Sequence, residues 1–144
     1  MKRFRFRLER VLQFRERIRE ERKRDLTACL LALRAAETQL EELRTAELEN
    51  EIRAQDITTA DVELVSLYGK RLKLEIVNTN REIERRSQAV EVARNAYIEA
   101  SKEAEALQQL KRRRQSEHDL YVSHEEAKLI DEMVTQRYTR REQN

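Results

Sequence analysis

Two histidines, one cysteine, one glycine and 28 carboxylates are the residues of this 144-residue chain whose types could support metal, nucleophile, phosphate or proton chemistry. His118 and His124 stand six apart, whereas two helical metal ligands need an i, i+4 step to share a face, and no cysteine accompanies them. Their plain reading is as solvated or packing side chains. Cys29 lies among Leu26, Leu30 and Leu33 in a helical pattern, where a small apolar thiol packs. A lone cysteine forms no internal disulfide, which fits a reducing compartment. Gly69 is the only glycine, so no glycine-rich loop exists to cradle a phosphate, and its simplest role is a gap in a helix seam. Carboxylates such as Glu41 and Glu42 belong to solvated faces with no pocket to shift their proton affinity. These residues point to no catalytic centre, no cofactor and no metal, and the chain reads as a protein that is not an enzyme.

The elements that carry them are helices. Charged residues make up 40% of the sequence and hydrophobic ones 39%, with no proline or tryptophan, a composition typical of long helices and coiled coils. Turn-rich β folds are excluded on the same ground. The apolar residues suffice for a narrow seam rather than a thick core, so the expected molecule is a rod. No apolar run approaches the roughly 20 residues of a membrane span, and the N-terminus has no apolar stretch of signal-peptide type. Glutamates at positions 9, 16, 20 and 21 argue against an organelle transit peptide, and a cytoplasmic location is expected.

The net charge of +2 conceals a gradient. Residues 1–24 carry eleven Lys or Arg against four Glu, whereas residues 25–65 carry three Arg against ten acids. A basic end could meet nucleic acid, anionic lipid or an acidic protein surface, or simply be solvated.

One break interrupts the helical pattern. Asp56-Ile57-Thr58-Thr59-Ala60-Asp61-Val62 reads as a helix start with Thr58 as N-cap and a staple between Ile57 and Val62. The expectation is a single coiled-coil domain over residues 1–144: a first helix over about 4–53, a turn over about 54–58 and a second helix over about 59–140. In the first helix Leu26, Cys29, Leu33, Ala36, Leu40 and Leu43 recur at alternating steps of three and four, a heptad seam. Leu8, Val11 and Ile18 run out of phase with it, which implies a stutter through Arg22. In the second helix Val62, Ile76, Ile83, Val90, Tyr97 and Ala104 stand at a, with Val65, Leu72, Ala93, Ala100 and Leu107 at d. Gly69, Thr79 and Arg86 are its weak points. The fold class is therefore all-α, two long helices in an antiparallel coiled-coil hairpin. Pairing should stop near Leu107, because Lys111, Arg114 and His118 follow in the same register. From about residue 111 the C-terminal helix should overhang the first, unpaired.

Residues off the seam carry the candidate partner-binding positions. Leu67 and Leu74 fall at f, Leu64 at c and Val77 at b, beside Lys70 and Arg71. A spacer would place charge there, so the strip reads as a docking face, or alternatively as a third packed layer or self-association surface. Lys111, Arg112, Arg113 and Arg114 form a basic collar. Val122, Leu129 and Met133, with Ile130 and Val134 nearby, make an apolar stripe on the overhang that has nothing opposite it.

Three blocks stand out in order along the chain: Phe4-x-Phe6-x-Leu8-Glu9-x-Val11-Leu12 within a basic opening, Leu107-Gln108-Gln109-Leu110-Lys111-Arg112-Arg113-Arg114, and Glu125 to Glu132 with its Asp131-Glu132 step. With Tyr68-x-x-x-Leu72 between them, the chain resembles the flagellar export protein FliJ family over nearly its whole length. The resemblance implies a cytoplasmic part of the flagellar type III export apparatus, similar to the central stalk of rotary ATPases. It further implies contacts with the export ATPase hexamer and its regulator, the cytoplasmic domain of the export gate and export chaperones. Membrane association would then arise only through the export complex, at the inner membrane. Any effect on ATP hydrolysis would come from contacting an ATPase. The alternatives are a structural coiled-coil spacer or tether, and a nucleic-acid binder using Arg3, Arg5, Arg7 and the collar with Phe4, Phe6 and Phe14 for stacking. Nucleic acid is not expected, because the acidic middle would repel a backbone laid along the chain.

Overall fold

The computed structural model describes residues 3–56, 58 and 61–144. Two helices account for most of them, α1 over Glu9–Ala54 and α2 over Val62–Gln143. Both follow from long stretches of helix-favouring residues with no proline and a single glycine. No strand occurs among the described residues. The chain divides into two units, Met1–Ile18 with Ala100–Asn144, and Arg19–Glu99. Each contains one stretch of α1 running antiparallel to one stretch of α2.

In the unit of residues 19–99, Asn50 Nδ2 donates to the Val65 carbonyl at 3.2 Å and Arg86 Nη1 to the Ala32 carbonyl at 2.6 Å. Stepping back along α1 therefore means stepping forward along α2. Ala36, Leu72, Thr79 and Val90 are buried between the helices, at the spacing of a heptad seam. The polar weak points of that seam are each accommodated. Arg86 also donates through Nε to Glu82 at 3.0 Å, and Gly69 leaves room for Asn50, whose amide nitrogen would lie 3.1 Å from an added Cβ.

In the unit built from both ends of the chain, Arg15 meets Glu103 at 2.6 Å, Gln108 donates to Glu16 at 2.8 Å and Lys111 pairs with Glu9 at 2.9 Å. Leu12, Ala100 and Ala104 are its buried apolar residues. Three expectations change here. The seam of α1 uses Leu12, which is 3% exposed, and not Val11, which is 43% exposed. Leu8, Leu12, Arg15 and Arg19 then follow at steps of four, three and four, while Ile18 is half-buried and Arg22 is exposed. Leu8, Arg15 and Arg19 are half-buried at these positions, since an arginine lends its aliphatic stem to a seam while its guanidinium reaches outward.

The second change concerns the start of α1. The helix begins at Glu9 rather than near residue 4, with the Phe6 carbonyl accepting from the Glu9 amide and the Leu8 carbonyl from the Leu12 amide. Residues 3–8 instead alternate in exposure, with Phe4, Phe6 and Leu8 half-buried and Arg3, Arg5 and Arg7 exposed. That is the period of an extended chain, and it hides apolar side chains on one side that a helix would scatter. The third change follows from the second. Pairing does not end at Leu107, because Glu9 neutralises Lys111 and the Phe4 ring lies against His118 with centroids 5.6 Å apart. From Ser123 onward every residue is exposed.

At the turn, the Asp61 carbonyl accepts the Val65 amide, which makes Asp61 the N-cap residue of α2. Thr58 stands a turn earlier. Its hydroxyl donates to the Asp61 carboxylate at 3.4 Å and its carbonyl accepts the Asp61 amide. Ile57, expected to staple onto Val62, lies outside the described residues.

Candidate partner-binding surfaces

Among the described residues no group of three or more His, Cys, Asp or Glu is placed to hold a metal. No helix is long and apolar enough to cross a membrane. Three surfaces among the described residues are candidate docking faces.

The first belongs to the unit of residues 19–99. Heptad geometry turns f, c and b positions of α2 away from α1, and Leu64, Leu67, Leu74 and Val77 are all exposed, Leu67 and Leu74 by 62% and 63%. Lys70 and Arg71 are exposed beside them. Arg71 is engaged only at the surface, with Glu75 at 3.2 Å. Among the described residues nothing covers this strip, so the third-layer reading finds no intramolecular partner there. Sequence reasoning missed further exposed apolar side chains in this unit: Leu31, Leu48 and Ile52 on α1 and Val92 on α2. Val92 stands at c, four heptads after Leu64, and the same positional reasoning finds it.

The basic collar behaves as two kinds of residue. Lys111 is half-buried and committed to Glu9, whereas Arg112, Arg113 and Arg114 are exposed. Arg114 reaches only Glu117, at 3.3 Å. Arg3, Arg5 and Arg7, on the N-terminal segment, are exposed in the same unit, and Arg5 and Arg7 line one cleft with Arg114.

The third surface is the end of α2. Leu129 and Met133 are 55% and 63% exposed, with Ile130, Val134 and Tyr138 equally open beside them. Val122 does not belong to this stripe, because it is half-covered and shares a cleft with Phe4 and His118. Each apolar side chain of the stripe is more than half exposed. A sequence profile described as that of the flagellar FliJ protein matches residues 4–143. The chain belongs to the FliJ family. No curated protein and no solved structure matches it.

Membership in the FliJ family makes the chain a component of the flagellar export apparatus. The match covers the basic opening, both helices and the exposed end of α2, so all three surfaces fall within the FliJ sequence.

Proposed function

We propose that this FliJ chain couples the export ATPase to the rest of the export apparatus, with the end of α2 as the segment that engages the ATPase hexamer. One observation carries the reading: α2 continues as helix through residues 123–143 with Leu129, Ile130, Met133 and Val134 exposed and no intramolecular partner among the described residues. A solitary amphipathic helix of this length is marginal in water and gains most of its stability from a surface that covers its apolar side. The central-stalk likeness makes that surface the interior of the ATPase ring.

The Leu64 to Val77 strip is the proposed face for the export gate and chaperones, and the collar of Arg112, Arg113 and Arg114 adds charge contacts with the ATPase or its regulator. The protein acts in the cytoplasm and reaches the inner membrane through these partners. A plain spacer would have no use for exposed leucines at f positions, which disfavours that alternative.

Co-sedimentation with purified export ATPase tests the assignment of surfaces. A chain ending at Val122 should lose ATPase binding and retain binding to the cytoplasmic domain of the export gate, while Leu67→Glu with Leu74→Glu should do the reverse. Both variants losing both partners, with their helicity intact, would remove the assignment.

A further inference from the structure

The N-terminal segment builds a cleft that shares Arg114 with the collar and is otherwise not used by the coupling role. Between residues 4–8 and α2 lies an open cleft of about 630 Å³, within the roughly 300–1,000 Å³ typical of ligand pockets. Its apolar wall is made by Phe4, Phe6, Leu8 and Leu110. Its cations are Arg5, Arg7 and Arg114, with His118 behind them. Among the described residues no carboxylate lines it, whereas the adjoining cleft that shares Phe4 and His118 carries Asp119 and Glu126 beside Arg3.

The three guanidinium groups are available. Arg5 and Arg7 are exposed, and the Arg114 to Glu117 bridge joins two side chains that are each more than half exposed. Such a bridge contributes little and yields to a better-placed carboxylate. The site thus offers apolar contact and forked cationic donors side by side, and guanidinium forks match carboxylates in pairs of parallel hydrogen bonds.

We propose that this cleft docks a short acidic amphipathic peptide segment of a protein partner. Its apolar side chains would lie on Phe4, Phe6, Leu8 and Leu110 and its carboxylates on Arg5, Arg7 and Arg114. A flat lipid surface does not enter a concave cleft. A single-stranded nucleic acid needs open aromatic faces to stack on, whereas Phe4 and Phe6 are half-covered and Phe4 already leans on His118. The inference goes beyond the coupling role and does not depend on it, since its test contains no ATPase.

The test is fluorescence anisotropy on the full chain. The probe is a labelled synthetic peptide with leucines at i, i+3 and i+4 steps and glutamates between them. Arg5→Glu with Arg7→Glu should weaken binding by on the order of tenfold or more, the scale of losing close charge contacts at an interface. Arg17→Glu with Arg24→Glu makes the same change of net charge at exposed sites away from the cleft and should leave binding within about twofold. Replacing the peptide's leucines by serine should abolish binding although its charge is kept. Equal losses in the two double variants, undiminished binding of the serine peptide or no binding of the leucine peptide would each overturn the proposal. So would phosphatidylglycerol vesicles or single-stranded DNA binding in the peptide's place, with sensitivity to Arg5→Glu and Arg7→Glu. Circular dichroism on both double variants confirms that helicity is unchanged, as the exposure of all four arginines requires.

Discussion

Asn50 and Gly69 show how a single polar pair is built into an apolar seam. Asn50 is 9% exposed and its amide donates to the Val65 carbonyl. A methyl group at Gly69 would approach that amide nitrogen to 3.1 Å. Replacing a glycine in a helix interior by alanine ordinarily stabilises by about 1 kcal/mol. Here the added Cβ pushes on a side chain held by a hydrogen bond, so Gly69→Ala should be close to neutral. In an Asn50→Ala background the obstruction is gone, and the same substitution should recover the full gain of about 1 kcal/mol. Urea denaturation of the two single variants and the double variant measures the difference, and strictly additive effects would show that Asn50 does not press on position 69. Arg86 follows a different solution, with its charge satisfied by the Ala32 carbonyl and by Glu82. Both residues look like defects in a list of heptad positions and are satisfied once the opposite helix is present.

At the scale of the element, the seam was legible from Leu26 to Leu43 in α1 and from Val65 to Leu107 in α2, whereas Val62 is exposed and the first turns of α1 were misread, for a physical reason. In α2 the a and d sites carry mostly apolar residues, so Leu72, Val90, Ala100 and Ala104 announce the seam in which they are buried. In the first turns of α1 half-buried places are held by Arg15 and Arg19, which periodicity reads as surface, and the eye moves to Val11 instead of Leu12. The burial of Leu12 alone resets the phase. The opening segment was misread for a related reason. Six residues alternating Arg with Phe or Leu have the period of a strand, but they stand directly before a long helical pattern and were absorbed into it. The Leu64 to Val77 strip was visible because apolar residues at f have no seam role, whereas the cleft over Phe4 and Phe6 depends on an extended segment that periodicity had made helical. The antiparallel pairing itself is testable in each unit. With Cys29→Ala to remove the native thiol, cysteines at Arg15 and Glu103, or at Ala32 and Arg86, should be joined within one chain by a short bismaleimide at low protein concentration. Crosslinks found only between chains would replace the hairpin by a dimer of parallel helices.

For the molecule as a whole, the division of labour is between stretches that hold the fold and stretches that meet partners. Within each unit buried residues lie on the facing sides of α1 and α2, and at the N-terminal end Phe4 lies on His118. Beyond Val122 every residue of the helix is exposed, so removing this end should leave the melting temperature nearly unchanged. We propose that this end of α2 is the element through which the chain acts on the export ATPase. Steady-state ATP hydrolysis by the purified export ATPase hexamer tests it most directly, comparing the full chain with one ending at Val122, alongside their melting curves. The full chain should stimulate hydrolysis, and the shortened chain, equally stable, should lose most of that stimulation. Full stimulation by the shortened chain would contradict it.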